Sequence, residues 1–180
     1  MLPIILKPDY VSALVIGDGV ATYRRLEMLE KAGVSKVKHL KNPSLEDVSN
    51  ALDAINIVYV ADFDDEFSEK IAKIIRARNI ILNIEDKGKF CDFNVPAIIR
   101  AGDMLITAST AGTAPRIARR AKKILEKQFD NEFAEKMSKV SNHRLTLKSK
   151  GASMEVLIEE SDKIIDEVGL FDKFCDRCKS

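Results

Sequence analysis

The chain has 180 residues, enough to bury a core in one main domain and leave room for a smaller appendage, and its 29 Lys and Arg nearly balance 28 Asp and Glu. A formal charge of +1 leaves no overall field that would make nucleic acid or an anionic membrane the main partner. No stretch approaches the roughly 20 apolar residues of a membrane helix. The start, Met-Leu-Pro-Ile-Ile-Leu-Lys-Pro, is too short and proline-broken for a signal peptide, so a cytoplasmic protein is expected.

The first element is a short apolar run, "VSALVI" at 11–16, bounded by Asp9 and Gly17, which reads as a buried strand. Ala21, Leu26, Met28, Leu29 and Ala32 then recur at roughly helical spacing, and Gly33 supplies a stop, so a helix is expected over 20–32. "KVKHL" at 36–40 reads as a second strand, completing a β-α-β unit of a parallel sheet. Ser44 caps a short helix to about Leu52, with Glu46 and Asp47 in its first turn where the dipole favours acids. "AINIVYVA" at 54–61 is a strand, 64–78 is a helix with Phe67, Ile71, Ile74 and Ile75 on one face, and "IILNI" at 80–84 is a further strand. The rhythm is α/β. It breaks at 95–109, where two apolar runs flank Arg-Ala-Gly-Asp and predict a hairpin. Thr113 and Pro115 open a helix to about Phe129, with Ile117, Ala121, Ile124 and Gln128 on one side and Arg116, Arg119, Arg120 and Lys123 on the other. The remainder divides into helical segments near 130–140, 152–168 and 170–178, the first two separated by the polar stretch "SNHRLTLKSKG".

The stretch "VIGDGVATYRR" places Gly17, Gly19 and Thr22 where a dinucleotide fold wants a tight turn, a close backbone approach and a small packing residue. A strand precedes it and a helix follows, so amide N–H groups at the helix start face an anion. Asp18 opposes this, because a carboxylate close to a pyrophosphate costs on the order of 1 kcal/mol when solvated. The acid that grips an adenosine ribose is expected about 20 residues on. Lys41, Asn42 and Pro43 stand there instead, so 2'-hydroxyl recognition falls to amide or backbone groups, and Lys41 suits a 2'-phosphate.

Three longer stretches in order resemble the N-terminal module of siroheme synthase, the precorrin-2 dehydrogenase and sirohydrochlorin ferrochelatase family. They are "LVIGDGVATYRRLEMLEKAG", "VADFDDEFSEKIAKIIRARNIILNIED" and "FNVPAIIRAGDMLITASTAGTAPRIARRAKK". The resemblance implies a Rossmann-type parallel sheet over residues 1–94, a β-hairpin dimerisation region with its helix over 95–129, and a small C-terminal helical domain over 130–180. It implies a homodimer that oxidises precorrin-2 to sirohydrochlorin with NAD, NADP being the alternative, and in bifunctional members iron as substrate of a second step. It places Gly17, Gly19, Val20 and Ala21 at the phosphates with Asp18 between them, Lys41, Asn42 and Pro43 at the ribose, and Ala61, Asp62 and Asn83 elsewhere around the cofactor. Asp18, Asp62 and Phe63 stand where the family usually has Gly, Thr and Asp, and the connection before "AINIVYVA" is shorter than usual, which trims the sheet.

By the same resemblance Asp86 is the acid/base, with Glu85 as fallback; read alone, Asp86 is a turn-former before Lys-Gly. Ser109 and Thr110 take the place of paired serines beside the substrate, while the residues alone also allow a helix cap by Thr113. Precorrin-2 bears eight carboxylates, for which Arg116, Arg119 and Arg120 make a clamp, although a basic helical face is also what solvent contact produces. No resident metal is expected: the "CDRC" pair of Cys175 and Cys178 has only Cys91, His39 and His143 as further N or S donors. The alternative to catalysis is a diverged homodimer of the same fold that binds a tetrapyrrole or a nucleotide without turning it over.

Overall fold

The computed structural model describes residues 1–174, so Cys175 and Cys178 lie outside the described residues. The chain divides into two compact units, Met1–Val95 and a second that begins at Pro96. In the first unit, β1 (Ser12–Ile16), β2 (Lys36–Leu40), β3 (Ile57–Val60) and β4 (Ile81–Ile84) form one sheet in the order β2-β1-β3-β4, every pair parallel. Helices α1 (Val20–Lys31), α2 (Leu45–Ala51) and α3 (Asp65–Arg76) connect them. The connection from β2 to β3 is the single short helix α2, and the sheet stops at four strands.

Both faces of the sheet are covered, which is why its central strands read as continuous apolar runs. Leu14 and Ile16 of β1, Val58 and Val60 of β3 and Leu82 and Ile84 of β4 pack with Val48 and Leu52 from the α2 region and Ile71, Ala72 and Ile75 of α3. The alternate positions Ala13, Val15, Ile57 and Tyr59 pack on the other face with Leu29 of α1. Side chains alternate along a strand, so the loops that follow the strands inherit fixed positions from these two packed layers.

The expected Ser44 cap of α2 is present, and Asp47 completes it as a reciprocal capping box. The Ser44 Oγ accepts the Asp47 N–H at 3.1 Å, and the Asp47 carboxylate accepts the Ser44 N–H at 2.9 Å. Ser44→Ala is expected to lower stability by about 1 kcal/mol, read as a shift of the urea midpoint with an unchanged slope.

The free edge of β4 is covered by the segment that follows it, through side chains as much as backbone. Asp92 donates its N–H to the Leu82 carbonyl at 2.8 Å and accepts the Leu82 N–H on its carboxylate at 3.0 Å. The Cys91 Sγ receives the Ile84 N–H at 3.2 Å and donates to the Ile84 carbonyl at 3.1 Å. Burial pushes the Cys91 thiol upward, as suits a thiol held for its hydrogen bonds. Arg76 of α3 fixes the arrangement with two bonds to Asp92, at 2.9 and 3.1 Å.

In the second unit, β5 (Ala97–Ala101) and β6 (Met104–Ala108) form the expected antiparallel hairpin, turning at Gly102 and Asp103. Helix α4 (Pro115–Gln128) packs on the hairpin, and α5 (Asn131–Ser149) pairs with α6 (Met154–Glu167). The core here is Ala101, Phe133 and Leu170, with Phe133 ringed by Phe129, Phe171 and Phe174.

The polar stretch 141–151 is not a break: α5 runs through it to Ser149. Its polar residues are spent on α6, with Arg144 donating to the Leu157 carbonyl at 3.2 Å and His143 3.8 Å from Glu160. The stop comes at Gly151 (φ +78°), where the N–H groups of Gly151 and Ala152 close on the carbonyls of Lys148 and Leu147. The helix expected over 170–178 is, in its described part, a set of turns that seats Phe171 and Phe174 in the aromatic cluster.

Candidate functional site

In an open parallel sheet, ligands bind outside the carboxyl ends of the strands where the connections depart in opposite directions. The order β2-β1-β3-β4 puts that point between β1 and β3. The loops after all four strands meet the same end of the sheet, so 17–19, 41–43, 61–62 and 85–86 share one rim.

Gly17 turns the chain from β1 toward α1 with φ at +137°. A Cβ there would overlap the Thr22 hydroxyl and come within 2.5 Å of the Ala61 carbonyl, so only glycine fits. Its N–H donates to the Leu40 carbonyl at 2.9 Å, and its own carbonyl is met by His39 Nε2 at 2.8 Å. That contact puts the proton on Nε2 and makes His39 a brace of the turn.

The first turn of α1 has an internal acceptor. Asp62, immediately after β3 and in left-handed backbone (φ +69°), gathers three donors on its Oδ2. They are the Gly19 N–H at 2.9 Å, the Thr22 hydroxyl at 2.8 Å and the Thr22 N–H at 3.4 Å. A Cβ on Gly19 would overlap this carboxylate. The amides of Val20 and Ala21 have no acceptor among the described residues.

Asp18 points away from this turn, toward β2. It accepts the Tyr23 hydroxyl at 2.8 Å and pairs with Lys41 at 2.9 Å, while Lys41 also donates to Tyr23 at 3.0 Å. The Lys41 ammonium, then the Tyr23 hydroxyl, hold the Asp18 carboxyl below its ordinary range, and the same contacts raise Lys41. The charge that threatened a pyrophosphate is therefore neutralised within the loop, and Lys41, the group that would meet a 2'-phosphate, already has partners. Asn42 is exposed with φ at +39°, and Pro43 is buried beneath it.

At the end of β4 the two acids separate as strand alternation requires. Glu85 forms an ion pair with Arg25 of α1. Asp86 is exposed, sits in left-handed backbone (φ +57°), and its carboxylate makes no hydrogen bond or ion pair among the described residues. Its neighbour Lys87 is pinned to Asp65, which also pairs with Lys89 at 2.8 Å. These two ammonium groups hold the Asp65 carboxyl down to about 2. Asn83 faces inward: 6% exposed, it donates to the Phe93 carbonyl at 2.9 Å, and its Oδ1 is buried without a partner.

In the second unit, the hydroxyls of Ser109 and Thr110 hold their own loop. Ser109 Oγ accepts the Ala111 N–H at 3.2 Å, and Thr110 Oγ1 accepts the Ala114 N–H at 3.1 Å. Thr113 does not cap the helix; its hydroxyl donates to the Thr110 carbonyl at 2.6 Å. Arg116, Arg119 and Arg120 are exposed on α4. Ile117 and Ile124 of the same helix are also exposed, by 61% and 62%. Among the described residues no group of three or more His, Cys, Asp or Glu is placed to hold a metal ion, and no helix is long and apolar enough to cross a membrane.

A glycine turn at the switch point of a parallel sheet, opening a helix with two unpartnered amides, is the arrangement found in nucleotide-binding α/β folds. Residues 4–97 match the family described as "Putative NAD(P)-binding", and the chain belongs to it. The chain is 31% identical over 134 residues to the siroheme synthase of Methylobacillus flagellatus, covering 66% of this chain and 29% of that protein. It is 27% identical over 168 residues to the siroheme synthase of Hydrogenovibrio crunogenus, covering 82% and 35%. This kinship is the one the sequence resemblance expects, and the chain spans about a third of the length of the curated relatives it matches. The solved structure of SirC, precorrin-2 dehydrogenase, shares the fold with a TM-score of 0.73, 19% identity, and coverage of 92% of this chain and 89% of that one.

The rim fits the pyrophosphate of such a cofactor. The Val20 and Ala21 amides lack acceptors, while the space beside Gly17 and Gly19 is taken by Thr22, Ala61 and the Asp62 carboxylate. Asp62 is a second anion in the same cradle. Three residues at this rim were not legible beforehand: Tyr23, Arg25 and the hydroxyl of Thr22. Each acts on a partner 5 to 60 positions away along the chain, with no periodic signal to announce it.

Proposed function

We propose that this chain oxidises precorrin-2 to sirohydrochlorin, with NAD as the cofactor and NADP as the alternative. The observation that carries this reading is one rim of one sheet bearing both a phosphate cradle and, two strands away, the unpartnered carboxylate of Asp86. Two strand spacings are on the order of 10 Å, the scale of a nicotinamide nucleoside reaching from its phosphates.

Gly17, Gly19, Val20 and Ala21 would hold the phosphates, with Lys41, Asn42 and Pro43 toward the ribose and Ala61 lining the β3 loop. The bound dinucleotide supplies the hydride acceptor. Asp86 takes the proton that leaves the macrocycle on a carboxylate oxygen, since no neighbour competes for it. The Arg25–Glu85 pair and the Lys87–Asp65 bridge keep the loop that carries Asp86 in place. Ser109, Thr110, Arg116, Arg119 and Arg120 are proposed to meet the substrate's carboxylates, the guanidinium groups as bidentate donors. The exposed Ile117 and Ile124, together with the hairpin, support a homodimer, because apolar side chains of that size on one helical face are normally covered. Iron insertion into the product belongs to this proposal as a second step, with iron as substrate.

A second reading, a homodimer that binds a tetrapyrrole or nucleotide without turnover, is favoured by the Asp62 carboxylate in the cradle. Anaerobic incubation with precorrin-2 separates the two. The visible spectrum of sirohydrochlorin is expected to appear in the presence of NAD+ or NADP+ and not without them. A spectrum unchanged by either dinucleotide would leave the binding protein standing alone.

A further inference from the structure

We propose that Asp62 weakens dinucleotide binding by competing, as an internal anion, for the first turn of α1; this rests on the cofactor reading above. The Oδ2 of Asp62 collects the Gly19 N–H, the Thr22 hydroxyl and the Thr22 N–H, which is the set of contacts a bound phosphate oxygen makes at a helix start. The residue lies at the switch point between β1 and β3, where the ligand must pass. It is exposed, so the side chain has room to leave.

A pyrophosphate that reaches the Val20 and Ala21 amides has two ways to coexist with Asp62. It accepts a fixed negative charge a few ångströms away, or it displaces the side chain and breaks three hydrogen bonds. Both weaken binding. Asp18, the other acid of this loop, adds little of its own because Lys41 neutralises it. The brake is therefore a single residue, acting on the pyrophosphate that both dinucleotides share.

The test is isothermal calorimetry of NAD+ and NADP+ with the wild-type chain, Asp62→Asn and Asp62→Ser. The amide keeps the shape and an acceptor oxygen without the charge, and the serine keeps a short cap, so a folded protein is available from at least one of them; circular dichroism verifies it. Dissociation constants for both dinucleotides are expected to fall about tenfold in the neutral variants, equivalent to about 1.4 kcal/mol. Equal affinity in wild type and variants would overturn the role of Asp62 while leaving the cofactor reading intact. No binding of either dinucleotide by any of the three proteins at millimolar concentration would overturn both.

Discussion

Asp86→Asn is expected to lower the turnover number for precorrin-2 oxidation about 100-fold, with little change in KM. An amide keeps the shape of the side chain and tolerates left-handed backbone as aspartate does, so the loop is preserved. Because the Asp86 carboxylate has no partner among the described residues, nothing structural is lost with its charge. Stability should stay within about 0.5 kcal/mol of wild type, which separates a chemical defect from a folding one. Steady-state rates under anaerobic conditions, alongside a thermal melt, give both readings from one preparation. A variant that turns over at the wild-type rate would take residue 86 out of the chemistry.

Gly17→Ala is expected to destabilise the first unit by about 3 kcal/mol. Two costs combine at this position. A residue with a Cβ held at φ +137° carries strain of about 1–3 kcal/mol, and the new methyl overlaps the Thr22 hydroxyl and the Ala61 carbonyl, for which overpacking adds about 1–3 kcal/mol. Relief would require β1 and β3 to move apart at the point where the Ala61 N–H donates to the Ile16 carbonyl at 3.0 Å. A melting temperature lower by roughly 10 °C is the expected reading for a chain of this size. A drop below about 2 °C would mean that the turn relaxes freely and that the Gly17 geometry is not a constraint.

The elements that were legible share one property: their signals are local. β1 and β3 announce themselves as apolar runs because both sheet faces are buried, and the Ser44 cap is written beside the helix it opens. The hairpin follows from two apolar runs around a glycine, and Gly17 and Gly19 mark the turn from β1 into α1. What was not legible depends on tertiary approach. Asp62 accepts the N–H of Gly19, the residue that opens α1 43 positions earlier, and no spacing rule connects the end of β3 to the start of α1. The polar run 141–151 has the composition of a loop, but its Arg144 has a partner on α6, which converts it to helix. Resemblance places Asn83 beside the cofactor, whereas its bond to the Phe93 carbonyl, ten positions on, carries no signal in the sequence.

The covering of β4 has a consequence for how copies of this chain can associate. A bare sheet margin is a template on which a foreign chain can crystallise its own backbone, and short parallel sheets are vulnerable to such growth while folding. Here Cys91 and Asp92 satisfy the backbone groups a newcomer would need at one flank, and at the opposite flank β2 presents Lys36 and Lys38 to solvent. Extension of the four-stranded sheet from copy to copy is thereby opposed at both flanks, which leaves the β5–β6 hairpin and side-chain surfaces as the routes by which copies can associate.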